Sequence, residues 1–247
     1  MTARESDRRR VILQGTPEIA VELRQSTQAR RLNLRVSGLD GKVTLTLPRS
    51  VPMAEAMNFL RDKENWLRSA INRTAKPVIV TVGTDLMMRG RILTVREHST
   101  VRHVAETDDA LLVPADPSGT RTTARIATYL KACAQAALRP SSAEFAQCLG
   151  RHFTAISLRD TRSRWGSCTA QGRLMYSWRL IMAPPDVLRY VAAHEVAHLK
   201  HMDHSAAFWA TVEGLMPNYQ QHRAWLRHHG AGLHSYCFSA RPPAENG

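Results

Sequence analysis

The segment His194-Glu195-Val196-Ala197-His198 restricts what this chain can fold into more than any other stretch, because it sets three polar side chains inside an apolar run. Apolar residues recur with helical spacing before and after it. Pro184-Pro185 stand upstream, where the first turn of a helix tolerates proline. The pattern predicts a helix from these prolines through His198, with one side in the core of its domain.

The spacing of the two histidines also indicates a chemistry. Histidines four residues apart on a helix lie on one face, about 6 Å apart along the axis. Two imidazoles in that arrangement can converge on one Zn²⁺. Glu195 follows the first histidine, so it can reach a water at the ion without being a ligand. The sequence therefore predicts a zinc site with His194 and His198 as ligands and Glu195 as general base.

A catalytic zinc site needs a third protein ligand, and three residues downstream are candidates. His204 follows a predicted helix end near residues 202–203, so a chain that turns there returns His204 to the metal. Glu213, on the next predicted helix, would complete a His-His-Glu set. His201 shares the face of His194, but three imidazoles in a row do not readily form a tetrahedron. Geometry favours His204, then Glu213, and leaves His201 towards solvent.

Composition defines the setting of this site. The 247 residues carry a net charge of +13, with 34 basic and 21 acidic residues. The excess is spread along the chain instead of forming one patch, so we expect a solvated, arginine-rich surface and at most weak, non-specific nucleic-acid binding. No apolar run approaches the ~20 residues of a membrane span, so no membrane partner is expected. The four cysteines form no Cys-x-x-Cys pair, which favours reduced thiols in a cytoplasmic protein.

The alternation of apolar and polar residues predicts an α+β fold, with strands in the first half and helices in the second. The stretch Asp116-Pro117-Ser118-Gly119 interrupts the strand pattern and suggests a boundary. Beyond it a predicted helix begins at Arg121, and Pro140 is expected to kink or end it. The predicted regions are a flexible basic tail (1–15), a β-rich N-terminal domain with one helix (16–117), a compact, mainly helical domain with the metal site (118–238) and a C-terminal tail (239–247).

A predicted strand over residues 163–168 lies just upstream of the metal-binding helix. Side chains alternate along a strand, so Arg162, Arg164 and Cys168 are expected on one face. This strand could line the cleft and pair with an extended substrate, with one of the two arginines binding substrate or stabilising an oxyanion. Trp165 is expected to pack in the core, and Cys168 to be a small buried hydrophobe instead of a nucleophile.

A set of short motifs stands in a specific order and spacing. They are Arg164-Trp165-Gly166-Ser167-Cys168, Trp178-Arg179-Leu180, Ala183-Pro184, the motif of His194 and His198 with Leu199-Lys200, His204-Ser205, Phe208-Trp209, Met216-Pro217, Tyr219 and Trp225-Leu226. In these motifs the chain resembles the YgjP-like metallopeptidase family, small zincins akin to the SprT-like proteins. The resemblance extends over about residues 20–230 and is looser in the N-terminal half.

The resemblance implies a zincin-type fold for the C-terminal domain, one Zn²⁺ per chain held by His194, His198 and His204, and hydrolysis of a peptide or protein substrate with Glu195 as general base. Asp203 stands where the family more often has Asn; its carboxylate could orient His204 or cap the following helix. Two other functions are open. One is hydrolysis of a nucleotide phosphoanhydride, with arginines holding the phosphates. The other is a non-enzymatic, zinc-stabilised nucleic-acid-binding module, against which the intact Glu195 argues.

Overall fold

The computed structural model describes residues 8–38, 41–72 and 77–239, and the chain divides into two compact units between Lys76 and Pro77. The sequence suggests a boundary near residue 117 instead. The strands between residues 77 and 117 belong to the second unit because their buried side chains share one core with a later helix, as Leu93 does with Leu130. The turn at residues 116–119 therefore joins two elements of one core.

The first unit consists of a four-stranded sheet and two helices. Its elements are β1 (Arg8–Leu13), β2 (Ile19–Ser26), β3 (Asn33–Val36), β4 (Val43–Pro48), α1 (Met53–Asp62) and α2 (Glu64–Asn72). The strand order is β1-β2-β4-β3, with β2 and β4 parallel and the other neighbours antiparallel. Alternating residues of β2 and β4 are buried together with Leu60 of α1 and Leu67 of α2, which gives the unit its own core.

Two features of this unit differ from the sequence-based expectation. Residues 8–13, expected in a flexible tail, form β1, because their backbone pairs with β2 and the side chain of Leu13 is buried. The expected single helix is interrupted at Lys63, so that two helices form. Residues 1–7 of the expected N-terminal tail, and the C-terminal tail beyond Ser239, lie outside the described residues.

The second unit carries more strands and the four remaining helices of the described chain. Its elements are β5 (Val78–Ile79), β6 (Asp85–Met88), β7 (Arg91–His98), β8 (Ala105–Glu106), β9 (Ala110–Pro114), α3 (Thr122–Cys148), β10 (Ala155–Arg159), β11 (Gly166–Cys168), β12 (Arg173–Ser177), a 3-10 helix (Trp178–Met182), α4 (Pro185–Ala197), α5 (Ala206–Leu215), α6 (Tyr219–Leu233) and β13 (Tyr236–Cys237). The described strands form sheets in the orders β6-β7-β9-β8 and β10-β12-β11 and a pair β13-β5. This mixture of small sheets and helices agrees with the α+β class.

Helix α3 continues through Pro140, where the sequence predicts a kink or an end. Proline removes one backbone donor from a helix. The hydroxyl of Ser141 donates to the carbonyl of Ala137 at 2.9 Å, which gives a carbonyl of that turn an additional partner. At the other end, the carboxylate of Asp116 accepts from the backbone N–H groups of Arg121 and Thr122 and caps the helix.

Neither α3 nor any other helix in the described ranges is long and apolar enough to cross a membrane.

Helix α4 is the central element of the second unit. Ala192, Ala193 and Val196 are fully buried, since α3, α5 and α6 all pack against this helix. Ser205 caps α5, because its side-chain oxygen accepts from the backbone N–H of Phe208. These contacts fix the position of both ends of the chain segment that carries the predicted metal ligands.

Candidate metal centre

Helix α4 and the turn after it bring three histidines together. His194 lies on the last turn of α4, and His198 is its C-cap residue. The chain then reverses, because the N–H groups of Leu199 and His201 bond back to carbonyls of Val196 and Ala197. This reversal returns His204 to the end of the helix, as its position beyond a helix end predicts.

The donor atoms of His194, His198 and His204 lie within 4.8 Å of one another. The Nε2 atoms of His194 and His204 are 3.2 Å apart. Two nitrogens bound to one tetrahedral zinc at about 2.0–2.1 Å are about 3.3 Å apart, so this spacing matches a shared ion. The three neutral nitrogen donors therefore fit zinc in both number and chemistry.

A backbone contact fixes the ring of His198. Its Nδ1 lies 2.9 Å from the carbonyl oxygen of His201. A carbonyl only accepts, so Nδ1 carries the proton and Nε2 keeps its lone pair for a metal. The sequence predicts that the side chain of His201 faces solvent. In the structure its backbone carbonyl orients the ring of His198, as groups hydrogen-bonded to metal-binding histidines typically do. The Nδ1 atom of His194 is buried without a partner among the described residues.

Burial favours the neutral form of the His194 and His198 imidazoles. Burial lowers the pKa of His194 to about 3, and the nearby charges of His198 and His204 act in the same direction. Burial also lowers the pKa of His198. The neutral ring is the form that binds a metal, so the environment prepares both residues as ligands near neutral pH.

Glu195 is 5% exposed and lies against the short strand β11. A Cβ atom built on Gly166 of that strand would lie 2.5 Å from Oε1 and Cγ of the glutamate. Burial raises the pKa of Glu195 to about 8, while the charge of Arg164 opposes the shift. Burial thereby strengthens the affinity of this carboxylate for a proton, and the residue directly follows His194.

Two aromatic rings, which the sequence offers only as one of its short motifs, form a wall behind the histidines. Phe208 is fully buried and stacks on His198, with centroids 4.5 Å apart. Trp209 lies 5.6 Å from His194 and 5.8 Å from His204, and the guanidinium of Arg223 covers its ring at 4.4 Å. Their place in the first turn of α5, just after His204, is the signal that could have revealed this role.

The two predicted cleft arginines do not share a strand face. Strand β11 begins only at Gly166, and the hydroxyl of Thr161 donates to the carbonyl of Arg164, so the preceding residues form a turn. The charge of Arg164 acts on Glu195, whereas that of Arg162 acts on His234. The strand expected over residues 163–168 therefore covers only residues 166–168, and both arginines lie on irregular backbone before it.

The remaining predicted residues lie at the edge of the site. Asp203 is exposed, and its carboxylate accepts from the backbone N–H of Ser205 at 3.1 Å, so it supports the start of α5. Glu213 is exposed on α5 and is not part of the histidine group. Cys168 is half-buried; burial and then the nearby charge of Glu195 raise the pKa of its thiol to about 11, which disfavours the thiolate.

Arg179 is a buried residue to which the sequence analysis assigns no role. It is 6% exposed and forms an ion pair with Asp160. It also donates to the carbonyls of Leu233, the last residue of α6, and of Tyr236. It thereby joins the 3-10 helix before α4 to the C-terminal end of the described chain.

The site and the surrounding α+β unit define a metallopeptidase. The chain belongs to the YgjP-like family, whose metallopeptidase domain matches residues 30–229. The resemblance drawn from the sequence motifs and the assignment to the metallopeptidase enzymes are therefore confirmed.

The chain was also compared with solved structures and with curated proteins. The crystal structure of the metallopeptidase zymogen of Pyrococcus abyssi abylysin is 19% identical to this chain; the match covers 36% of this chain and 93% of that one, with a TM-score of 0.33. A search of curated proteins gives no match.

Proposed function

We propose that this chain is a zinc-dependent metallopeptidase that hydrolyses peptide bonds with Glu195 as general base, on a zincin-type fold. The observation that carries the proposal is the convergence of His194, His198 and His204, with donor atoms within 4.8 Å, beside a buried carboxylate. A purely structural zinc site needs no such carboxylate.

Zinc suits the donor set, because three imidazole nitrogens leave one position of a tetrahedron open. When bound, zinc supplies Lewis-acid polarisation of the scissile carbonyl and lowers the pKa of a coordinated water. His194, His198 and His204 would hold the ion. The carbonyl of His201 keeps the ring of His198 in its ligand orientation.

Glu195 has the position and environment of the general base. Its carboxylate takes a proton from the attacking water and returns it to the nitrogen of the departing amine. The contact with Gly166 keeps the carboxylate on the side of β11. The positive charge of Arg164 favours the ionised form that accepts the proton.

Strand β11 offers a place for the substrate. It pairs with β12 on one side and is an edge strand of the described sheet. An extended peptide can add to such an edge through main-chain hydrogen bonds. A peptide there would pass Glu195, and Arg164 would be the arginine nearer to the reacting carbonyl.

A turnover screen tests the proposal against nucleotide hydrolysis. Full-length protein is freed of metal with a chelator, reloaded with one equivalent of zinc and offered unstructured peptides and nucleoside triphosphates. We expect peptide cleavage that requires zinc and no triphosphate hydrolysis above that of the metal-free protein. Zinc-dependent release of phosphate without peptide cleavage would overturn the proposal.

Peptides or proteins are the proposed partners, and nucleic acid is at most a weak one. The net charge of +13 is spread along the chain, so we expect binding only at low salt, falling steeply as salt rises. Tight binding to a DNA duplex at moderate salt, measured by fluorescence anisotropy, would contradict this. The four free cysteines suit a reducing compartment such as the cytoplasm.

A further inference from the structure

A cavity of about 530 Å³ lies beside the metal-binding histidines, and His198 forms part of its wall. Lys200 and Met202, which follow α4, line one part, and the hairpin turn of residues 169–172 lines another. Residues 150–152, between α3 and β10, complete it. A cavity of this size accommodates a side chain or a small ligand.

This cavity carries positive charge without a compensating negative one. Arg151 and Lys200 both line it, and none of its lining residues is acidic. Neither side chain has an ion pair or hydrogen bond within the part of the chain that the structure describes. Arg179 and Arg189, by contrast, both pair with carboxylates. Two uncompensated cations around a recess attract an anionic group.

The cavity also lies on the path proposed for the substrate. Thr169, which lines it, directly follows Cys168, the last residue of edge strand β11. A peptide that adds to β11 would therefore run towards the cavity. The peptide side chains that approach the cavity would be those close to the scissile bond at the histidines. Because successive side chains of an extended peptide point to opposite sides, only some positions would reach the cavity.

We propose that this basic cavity is a substrate subsite that selects an acidic side chain near the scissile bond, with Arg151 and Lys200 as specificity-determining residues. The inference rests on the proposed peptidase function. A peptide carboxylate fits better than a nucleic-acid backbone, because the two cations surround one recess beside the histidines. A polynucleotide needs a longer stripe of positive charge.

Matched peptide pairs test the subsite. Zinc-loaded, full-length protein is given fluorogenic peptides that differ only by Glu or Gln, at each of three positions on either side of the cleaved bond. At one position we expect kcat/KM to be about tenfold higher for Glu at low salt, since each of the two exposed ion pairs contributes about three- to fivefold. The preference should shrink as salt rises.

Substitutions assign the preference to the two cations. Arg151→Ala and Lys200→Ala should each reduce the Glu-over-Gln ratio of kcat/KM by about three- to fivefold. The control is Arg139→Ala, an exposed arginine of α3 that does not line the cavity and should leave the ratio unchanged. A ratio insensitive to both cavity substitutions would overturn the assignment.

A binding measurement separates this inference from the chemistry. Zinc-loaded Glu195→Gln should bind the Glu peptide more tightly than the Gln peptide by a similar factor, as followed by fluorescence anisotropy. Equal cleavage of both peptides at every position would overturn the subsite alone. Absence of any peptide cleavage by the wild-type protein would overturn the proposed function. An oligonucleotide that displaces the Glu peptide more effectively than free peptide does would assign the cavity to nucleic acid.

Discussion

Gly166 and Glu195 are in direct contact: a Cβ atom at residue 166 would lie 2.5 Å from both Oε1 and Cγ of the glutamate. Real Cβ atoms do not approach other heavy atoms so closely, so this strand position has room for glycine only while the carboxylate stays in place. The short strand β11 thus packs directly against the side chain of the proposed general base.

The first prediction follows from this contact. Gly166→Ala should push the carboxylate of Glu195 aside and lower kcat by roughly 10²-fold, because displacements near 1 Å can cost that much. Zinc content should not change, since the three histidines do not contact residue 166 in this way. Peptide turnover and metal analysis of the purified variant measure both effects.

Gly214→Ala is the matched control for that substitution. Gly214 is a helical residue of α5 with no atom within 4 Å of a built Cβ. Alanine there should leave turnover unchanged and stabilise the protein by about 0.5–1 kcal/mol. Full activity of Gly166→Ala would mean that the glutamate does not need its present position.

The second prediction concerns the two arginines before β11. Arg164→Ala should lower kcat by roughly tenfold or more with little change in KM, if its charge acts on the reacting carbonyl. Arg162→Ala is the matched control, because its charge acts on His234 instead of Glu195. Steady-state kinetics of both variants test this prediction. Equal losses of kcat in the two variants would show that the segment carrying Arg162 and Arg164 has only a structural role.

The third prediction concerns Trp165, whose ring packs on His234 at 4.7 Å and against Gly230 of α6. Trp165→Ala should lower the free energy of unfolding by about 2–3 kcal/mol, below the usual cost of a fully buried tryptophan because this one is half-buried. Gly230→Ala should also destabilise the protein, since its Cβ would lie 2.9 Å from the indole.

Gly232 supplies the comparison for this packing. A Cβ atom there meets nothing within 4 Å, so Gly232→Ala should be neutral or slightly stabilising. Urea unfolding of the three variants gives the three free energies. A Gly230→Ala protein as stable as Gly232→Ala would show that the indole moves away at no cost.

The fourth prediction is a pH dependence of stability. Burial, and then the charge of Arg179, lowers the pKa of His234 from 6.5 to about 4, and its Nδ1 is buried without a partner among the described residues. The unfolded chain therefore binds more protons than the folded one between these values. The contribution of His234 is fully present above pH 6.5 and is lost as pH falls towards 4.

His234→Phe keeps a ring against Trp165 and removes the titrating group. The difference in free energy of unfolding between wild type and variant should change between pH 7 and pH 4, with the wild type losing more stability. Chemical unfolding at several pH values measures it. A difference that stays constant over this range would contradict the neutral, buried state of the histidine.

The convergence of the three histidines could be predicted from the sequence because its geometry is local. His194 and His198 share a helix face by spacing alone, and His204 directly precedes Ser205, the cap residue that fixes where the next helix starts. The same is true of Glu195. Spacing on one helix, and one turn after it, is enough to place these four side chains.

The other features depend on contacts that spacing does not encode. The division of the chain at residue 76 reflects a core shared over long sequence distances. Arg162 and Arg164 separate because a turn, closed by the hydroxyl of Thr161, replaces the predicted strand. The aromatic wall of Phe208 and Trp209 needs α5 to fold back against α4. Each of these outcomes is decided by packing between elements.

The zinc content and peptide turnover of Glu195→Gln test the central claim most directly. Glutamine keeps the size of the side chain but cannot accept the proton, and general-base catalysis contributes roughly 10²–10⁴-fold. We expect one zinc per chain, as in the wild type, with kcat reduced by a factor in that range. A variant that binds zinc and cleaves peptides at the wild-type rate would contradict it.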